Sequence, residues 1–288
     1  MIGGPEATEE YWPNLIRGES NRALEEVGQT DMGRAFNVQA YKMRRRAVLC
    51  ALEAAGVSLP SARIYEAGFG VGYYLALWEQ GKAVAVAGID LSSVAVRNVR
   101  QRFPSYDLSQ GDITELAKRA DWGERVGCYD VVTAIDVLYH IVDDRRAAEA
   151  LRNLKSLVAM GGILLLTEKF PPSGSRLAEH HHVTRRPLSW YADILGPDVQ
   201  IERLAPVFWC LDPAIPGSAE YGAGDRAARI IWVLLRVGPK YARPGGWLEN
   251  AAGWAGGHVG LALDRIALGR TRATGNMRIV TARRRTNA

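Results

Sequence analysis

The residues with chemistry in them fall at five places in the first two thirds of the chain. The run Glu66-Ala67-Gly68-Phe69-Gly70-Val71-Gly72 puts three glycines at alternate positions. Glycines spaced this way allow a tight turn and let a ligand approach backbone N–H groups closely. A helix that starts there adds partial positive charge suited to a carboxylate or phosphate. Asp90 follows 22 residues after Gly68, where a carboxylate can accept from both hydroxyls of a ribose; its plainer role would be a helix cap, which Ser92 already offers. Gly111-Asp112-Ile113 sets an acidic side chain beside an apolar one, a pair able to take an adenine amino group and pack its ring, or to form an ordinary turn. Asp136-Val137-Leu138-Tyr139-His140 comes next, and Glu179-His180-His181-His182 with Arg176, Arg185 and Arg186 lies beyond it.

These residues need a scaffold, and the pattern supplies one. Arg63 to Ala67 reads as a short strand that runs into the glycine turn and then into a helix through Leu75 and Trp78. Ala83 to Ile89 is a continuous apolar strand, as expected where both faces of a sheet are covered. Ser92 caps a helix carrying Val94, Val96 and Val99, and Asp107 to Gln110 is a short third strand. Asp130 to Ile135 is the fourth strand. Asp143 caps a helix with Ala148, Leu151, Leu154 and Val158 on one face, which Gly161-Gly162 is expected to stop before the strand Ile163 to Thr167. Strands alternating with helices mean a parallel sheet with helices on both sides, an α/β fold whose ligand lies at the carboxyl ends of the strands.

The flanks are less regular. In Tyr41 to Ala55 apolar residues recur with helical spacing, ended by Gly56 and Pro60. Val199 to Phe208 and Met277 to Arg284 read as strands; between them lies a Gly- and Pro-rich stretch with one helix candidate, Arg226 to Val237. A stretch that long is a lid, a substrate wall or an oligomer contact. The expected organisation is a helical cap (residues 1–60), a core (61–170), and a segment (171–288) that completes the same domain and holds an insertion at about 209–275.

Of 288 residues, 48% are hydrophobic and 23% charged, which excludes disorder for most of the length. The net charge of +5 is too small to imply nucleic acid, although 30 of the 36 basic residues are arginine. Cys50, Cys128 and Cys210 form neither a disulfide framework nor a metal clip, and three adjacent histidines diverge too far to share one metal. With no apolar run of spanning length and no basic-plus-apolar leader, a cytoplasmic protein is expected.

In this order and at these spacings, the four elements resemble the class I S-adenosylmethionine-dependent methyltransferases, over about residues 63–170. The resemblance implies a Rossmann-like, seven-stranded, mostly parallel sheet whose last strand is antiparallel, with S-adenosyl-L-methionine as cofactor. It implies that Glu66, Gly68, Gly70 and Gly72 hold the methionine end, Asp90 the ribose with Leu91 beside it, and Asp112 and Ile113 the adenine. Asp136 and Val137 would lie under the sulfonium, and the N-terminal helical segment would cover the cofactor through Tyr41. Phe69 and Val71 depart from the small or polar residues common in that loop. Where amino-group methyltransferases acting on DNA bases or glutamine resemble one another in an Asn/Asp-Pro-Pro-aromatic motif, this chain has Asp136-Val-Leu-Tyr-His, closer to members acting on small molecules.

The catalytic candidates are His140 and His182. His140 is read either as a base near the methyl or as a brace for its loop through backbone or Asp143; one histidine of the later cluster, His182, would line the acceptor pocket. Tyr139, Trp190 and Tyr191 would form an aromatic wall or pack in the core, and the arginines hint at an anionic acceptor or a solvated loop. The expected partners are a small-molecule acceptor, such as a secondary metabolite, and a second copy in a homodimer, with neither nucleic acid nor a membrane. Two rival readings remain open: an NAD(P)-dependent oxidoreductase, disfavoured by Tyr73 where a dinucleotide fingerprint needs glycine, and a methyltransferase-fold protein without turnover.

Overall fold

The computed structural model describes residues 32–171, 177–180, 182–217, 221–241, 246–268 and 276–286. In chain order the main elements are α1 (Gly33–Ala54), β1 (Arg63–Ala67), α2 (Tyr73–Gln80), β2 (Ala85–Asp90), α3 (Ser93–Arg102), β3 (Asp107–Gln110), α4 (Trp122–Arg125) and β4 (Tyr129–Ala134). Then come α5 (Asp144–Leu157), β5 (Val158–Lys169), β6 (Leu177–His180), β7 (Val183–Arg185), α6 (Leu188–Leu195), β8 (Val199–Pro206), α7 (Ala223–Tyr241), α8 (Trp247–Leu268) and β9 (Met277–Arg284). The described residues divide into two compact units, one built from Cys50–Leu204 with the chain from Ile279, the other from the chain up to Leu49 with Ala205–Arg278.

Among the described residues the main sheet has seven strands in the order β3-β2-β1-β4-β5-β9-β8. The first five run parallel. β8 and β9 run in opposite directions: the Arg285 amide donates to the Asp198 carbonyl at one end, and Val207 to Met277 at the other. This is the α/β, Rossmann-like architecture expected. Its centre is dry because the buried strands are nearly all apolar: Val131, Val132, Ala134, Ile163, Leu164, Leu165 and Leu166 are all buried. On one face Leu151, Leu154 and Leu157 of α5 pack with Tyr191 and Leu195 of α6.

The caps read from sequence are made. Ser92 Oγ accepts from the Ala95 amide and Asp143 Oδ1 from Arg146. The boundary after Asp143 differs. The helix after Asp143 stops at Leu157, so Val158 is a strand residue, and Gly161-Gly162 lies inside β5. The glycines serve an irregularity there: Tyr129 pairs with Val158 but Val131 with Ile163, and Gly161 has φ +76°. A Cβ on Gly162 would come within 2.9 Å of the Asp130 carbonyl oxygen.

The second unit is helical. The expected helix candidate extends to Ala223–Tyr241, and a second long helix, α8, occupies the Gly-rich stretch where none was anticipated. Its glycines mark close packing rather than loop. A Cβ would lie 3.1 Å from the Met32 carbonyl at Gly253, 3.2 Å from the Leu235 carbonyl at Gly256, and 2.3 Å from Leu211 Cδ2 at Gly260.

Candidate functional site

Strand register places the chemistry-bearing residues on one rim of the sheet. Ala67 is level with Ile89 on one side and Ala134 on the other; Ile89 is level with Ser109, and Ala134 with Leu166. The segments after these residues, 68–72, 90–92, 110–113, 135–140 and 167–169, therefore leave the sheet together at its carboxyl edge.

The glycine turn is held from three directions. Gly68 (φ +70°) donates to the Ile89 carbonyl at 2.7 Å, and a Cβ on it would press to 2.6 Å from Val137 Cγ2. The Gly70 amide donates to Asp90 Oδ2 at 2.7 Å, and Arg102 Nη1 of α3 to the Val71 carbonyl at 2.8 Å. Gly72, in the left-handed region, begins α2. The bulk of Phe69 is absorbed inward: its ring is buried against Gly88, where a Cβ would come within 3.1 Å of Phe69 Cδ1.

Asp90 ends β2 almost fully buried, with Oδ2 on the Gly70 amide and Oδ1 on the Ser92 amide at 2.8 Å. Burial pushes its pKa up while the two amides pull it down. A carboxylate has about four acceptor positions, so two remain for a vicinal diol. Asp112 caps the turn after β3: Oδ1 accepts from Thr114 at 2.7 Å, and Oδ2 pairs at 2.6 Å with Arg146 of α5. Ile113 is buried beside it, and half-buried Leu91 follows Asp90, its carbonyl accepting from Gln110. Glu66 is buried and accepts from Trp78 Nε1, which ties β1 to α2; burial pushes its pKa up to about 8, so at neutral pH it is an uncharged acid.

Asp136 follows β4 with φ 60°, a backbone region that Asp tolerates better than most residues. Thr167 of β5 holds it there: Thr167 Oγ1 accepts from the Asp136 amide at 2.7 Å and donates to Asp136 Oδ1 at 2.8 Å. Beyond it, Nδ1 of His140 lies 2.9 Å from the His182 carbonyl oxygen, and the two imidazoles stack at 5.6 Å. A carbonyl only accepts, so His140 carries its proton on Nδ1. Burial pushes its pKa down to about 3. The brace is thus to the backbone of residue 182 rather than to Asp143, whose carboxylate caps α5.

Arg186 holds this loop. Fully buried, it donates through Nη2 to the Ile141 carbonyl at 2.7 Å, through Nη1 to Leu138 at 3.4 Å, and through Nε to Asp144 Oδ1 at 2.9 Å. Its guanidinium also lies 4.9 Å over Trp190. Arg185 is likewise buried, donating to the Phe170 carbonyl. Arg186 is a structural clamp, because loop carbonyls need donors once withdrawn from water, and the burial of both arginines sets aside a solvated loop for this pair. Tyr139 and Tyr191 are core residues, and Trp190 is half-buried. His181, Arg176 and the side chains of Glu179 and His180 lie outside the described residues. Tyr41 belongs to the other unit, where Arg44 lies 4.9 Å over its ring.

Three participants were not singled out from sequence. Thr167 and Arg146 position Asp136 and Asp112. Glu168, fully buried, accepts from Tyr191 Oη at 2.6 Å, its other oxygen is unpartnered, and burial pushes its pKa up to about 8. The available signal was Thr167-Glu168-Lys169, polar residues closing an otherwise apolar strand.

Residues 65–164 match the family model for a methyltransferase domain, and over that segment the likeness to the class I S-adenosylmethionine-dependent methyltransferases holds. Among solved structures, the complex of the Haloferax volcanii Trm112 methyltransferase activator with its proposed methyltransferase aligns over 88% of this chain and 96% of that one, at 14% identity and TM-score 0.50, which shows the fold. An S-adenosylmethionine dependent methyltransferase from Mesorhizobium loti aligns at 16% identity over 83% and 98% of the two chains, with TM-score 0.48. Magnesium protoporphyrin IX methyltransferase from Synechocystis, with bound SAH, aligns at 21% identity over 70% and 90%, also at 0.48. No curated protein matches the sequence.

Proposed function

We propose that this chain uses S-adenosyl-L-methionine to methylate an oxygen, nitrogen or carbon of a small molecule by in-line displacement. The observation that carries the reading is Asp90: a buried carboxylate at the carboxyl end of β2, held on the amide of the central glycine of the turn, with acceptor capacity left for a ribose diol. The residues present fit the cofactor. The turn at Gly68 to Gly72 offers a cradle that a side chain on Gly68 would disturb, Asp90 would take the sugar with Leu91 beside it, and Asp112 with Ile113 would take the adenine.

When bound, the cofactor supplies a methyl group already activated by its sulfonium. The protein's contribution is then alignment and exclusion of water. Asp136, fixed by Thr167, and Val137, packed against Gly68, would form the floor at the reacting end. His140 would orient the acceptor as a neutral imidazole. With its pKa near 3 it is a weak base, poorly matched to taking a proton at neutral pH. A small acceptor is favoured by a post-strand loop of Leu138, Tyr139 and His140, closed by Arg186 and lacking the proline-shaped amide clamp.

Calorimetric titration with S-adenosylmethionine and S-adenosylhomocysteine tests the cofactor, and labelled methyl transfer to a panel of O-, N- and C-nucleophiles tests the acceptor. Saturable binding with transfer to a small molecule is expected. No binding at millimolar cofactor overturns the reading; transfer confined to nucleic acid or protein overturns the acceptor class.

A further inference from the structure

The helices of the second unit carry a feature that methyl transfer does not use. α8 packs its glycine-lined face inward and turns Trp247, Leu248, Trp254, Val259 and Ile266 outward; Trp247 is 76% exposed. α7 does the same with Ile230, Val233 and Leu234, at 64%, 57% and 66% exposure. The two helices pack on each other, with Gly256 of α8 against the Leu235 carbonyl of α7. Isolated exposed apolar residues are ordinary, but eight large ones on the outer faces of one helix pair mark a binding surface.

Charge on the same helices is sorted. Asp225, Glu249 and Asp264 are all buried: Asp225 accepts from Gly222, Glu249 lies against Gly33, and Asp264 accepts from the Cys210 amide. The exposed charged residues described on them are Arg226, Arg229 and Arg265. An apolar face with tryptophans, bordered by cations and with no exposed anion among its described residues, has the composition of an interfacial helix surface. A second copy docking through this face would bring, among the described residues of the two helices, only further exposed arginines and no exposed carboxylate to pair with them, which disfavours a self-interface.

We infer that the outer face of α7 and α8 docks on an anionic lipid bilayer surface, with Trp247, Trp254, Ile230 and Leu234 entering the interface and Arg226, Arg229 and Arg265 meeting headgroup phosphates. Contact is from the surface: no helix among the described residues is long and apolar enough to cross a membrane. This departs from the expectation of no membrane partner.

Vesicle flotation of the full chain, with phosphatidylcholine alone or mixed with phosphatidylglycerol, tests the inference. Three arginines predict a preference for the anionic vesicles on the order of a hundredfold at low salt, falling as salt rises. Trp254→Glu with Leu234→Glu, and separately Arg226→Glu with Arg229→Glu, should each lower binding at least tenfold, with circular dichroism and melting unchanged because these side chains are exposed. Failure of the wild-type chain to float with anionic vesicles at millimolar lipid overturns the inference, as does equal binding to both compositions. A dimer seen by light scattering that Trp254→Glu dissociates, without vesicle binding, would assign the face to self-association instead.

Discussion

Asp90→Ala is the most informative single change. The carboxylate accepts from the Gly70 amide at 2.7 Å and the Ser92 amide at 2.8 Å. Hydrogen bonds to a charged group contribute about 1.5–3 kcal/mol each, and Gly70 is only partly buried, so water recovers some of the loss; a cost of about 2–4 kcal/mol to folding is expected. Cofactor binding should suffer separately. Two hydroxyls that lose a charged acceptor weaken binding by about 3 kcal/mol, on the order of a hundredfold in Kd. Denaturant unfolding without ligand reads the first quantity and calorimetry with S-adenosylhomocysteine the second. A cycle with a 2′-deoxy analogue of the ligand separates sugar contact from loosening of the turn: the deoxy penalty should be large in the wild type and nearly absent in the variant. A folded Asp90→Ala protein that binds within threefold of wild type would refute the assignment. A stability loss with the deoxy penalty intact would reduce Asp90 to a brace for the turn.

Other consequences follow from the buried groups. Arg186→Met strips donors from the Leu138 and Ile141 carbonyls, so a stability loss of about 3–5 kcal/mol is expected in denaturant melts; a loss under 1 kcal/mol would show that water replaces the clamp. Glu168 keeps its proton in the folded protein up to about pH 8, whereas an ordinary glutamic acid releases it near 4.5. Its contribution is therefore complete below pH 4.5 and is lost as pH rises through about 8. Glu168→Gln should remove up to about 1.4 kcal/mol per pH unit of that decline in stability measured between pH 5 and 8, and an unchanged slope would contradict it. For His140, held neutral down to about pH 3, the rate–pH profile should show no limb near 6.5. A limb there that disappears in His140→Gln would restore it as a proton acceptor.

The order of elements was legible because each signal is local. Glycines at 68, 70 and 72 permit left-handed backbone whatever surrounds them, Ser92 and Asp143 cap helices a few residues away, and apolar runs mark strands buried on both faces. Asp90 and Asp112 stood out because position after a strand fixes which rim a residue occupies. Other features depend on partners distant in sequence. That Gly161-Gly162 lies at an irregularity inside a strand instead of ending a helix follows from the pairing with β4 and the room that a side chain on Gly162 would lack beside the Asp130 carbonyl, and that the glycines of α8 belong to a helix follows from the backbones they admit. Arg186 looked like a solvated or anion-facing residue. Only the folded chain, bringing it onto the carbonyls of a loop more than 40 residues earlier, makes it a clamp. The low basicity of His140 and the proton retained by Glu168 were decided in the same way, since water excluded by residues far along the chain, more than the neighbouring residues, sets the energy of a buried charge.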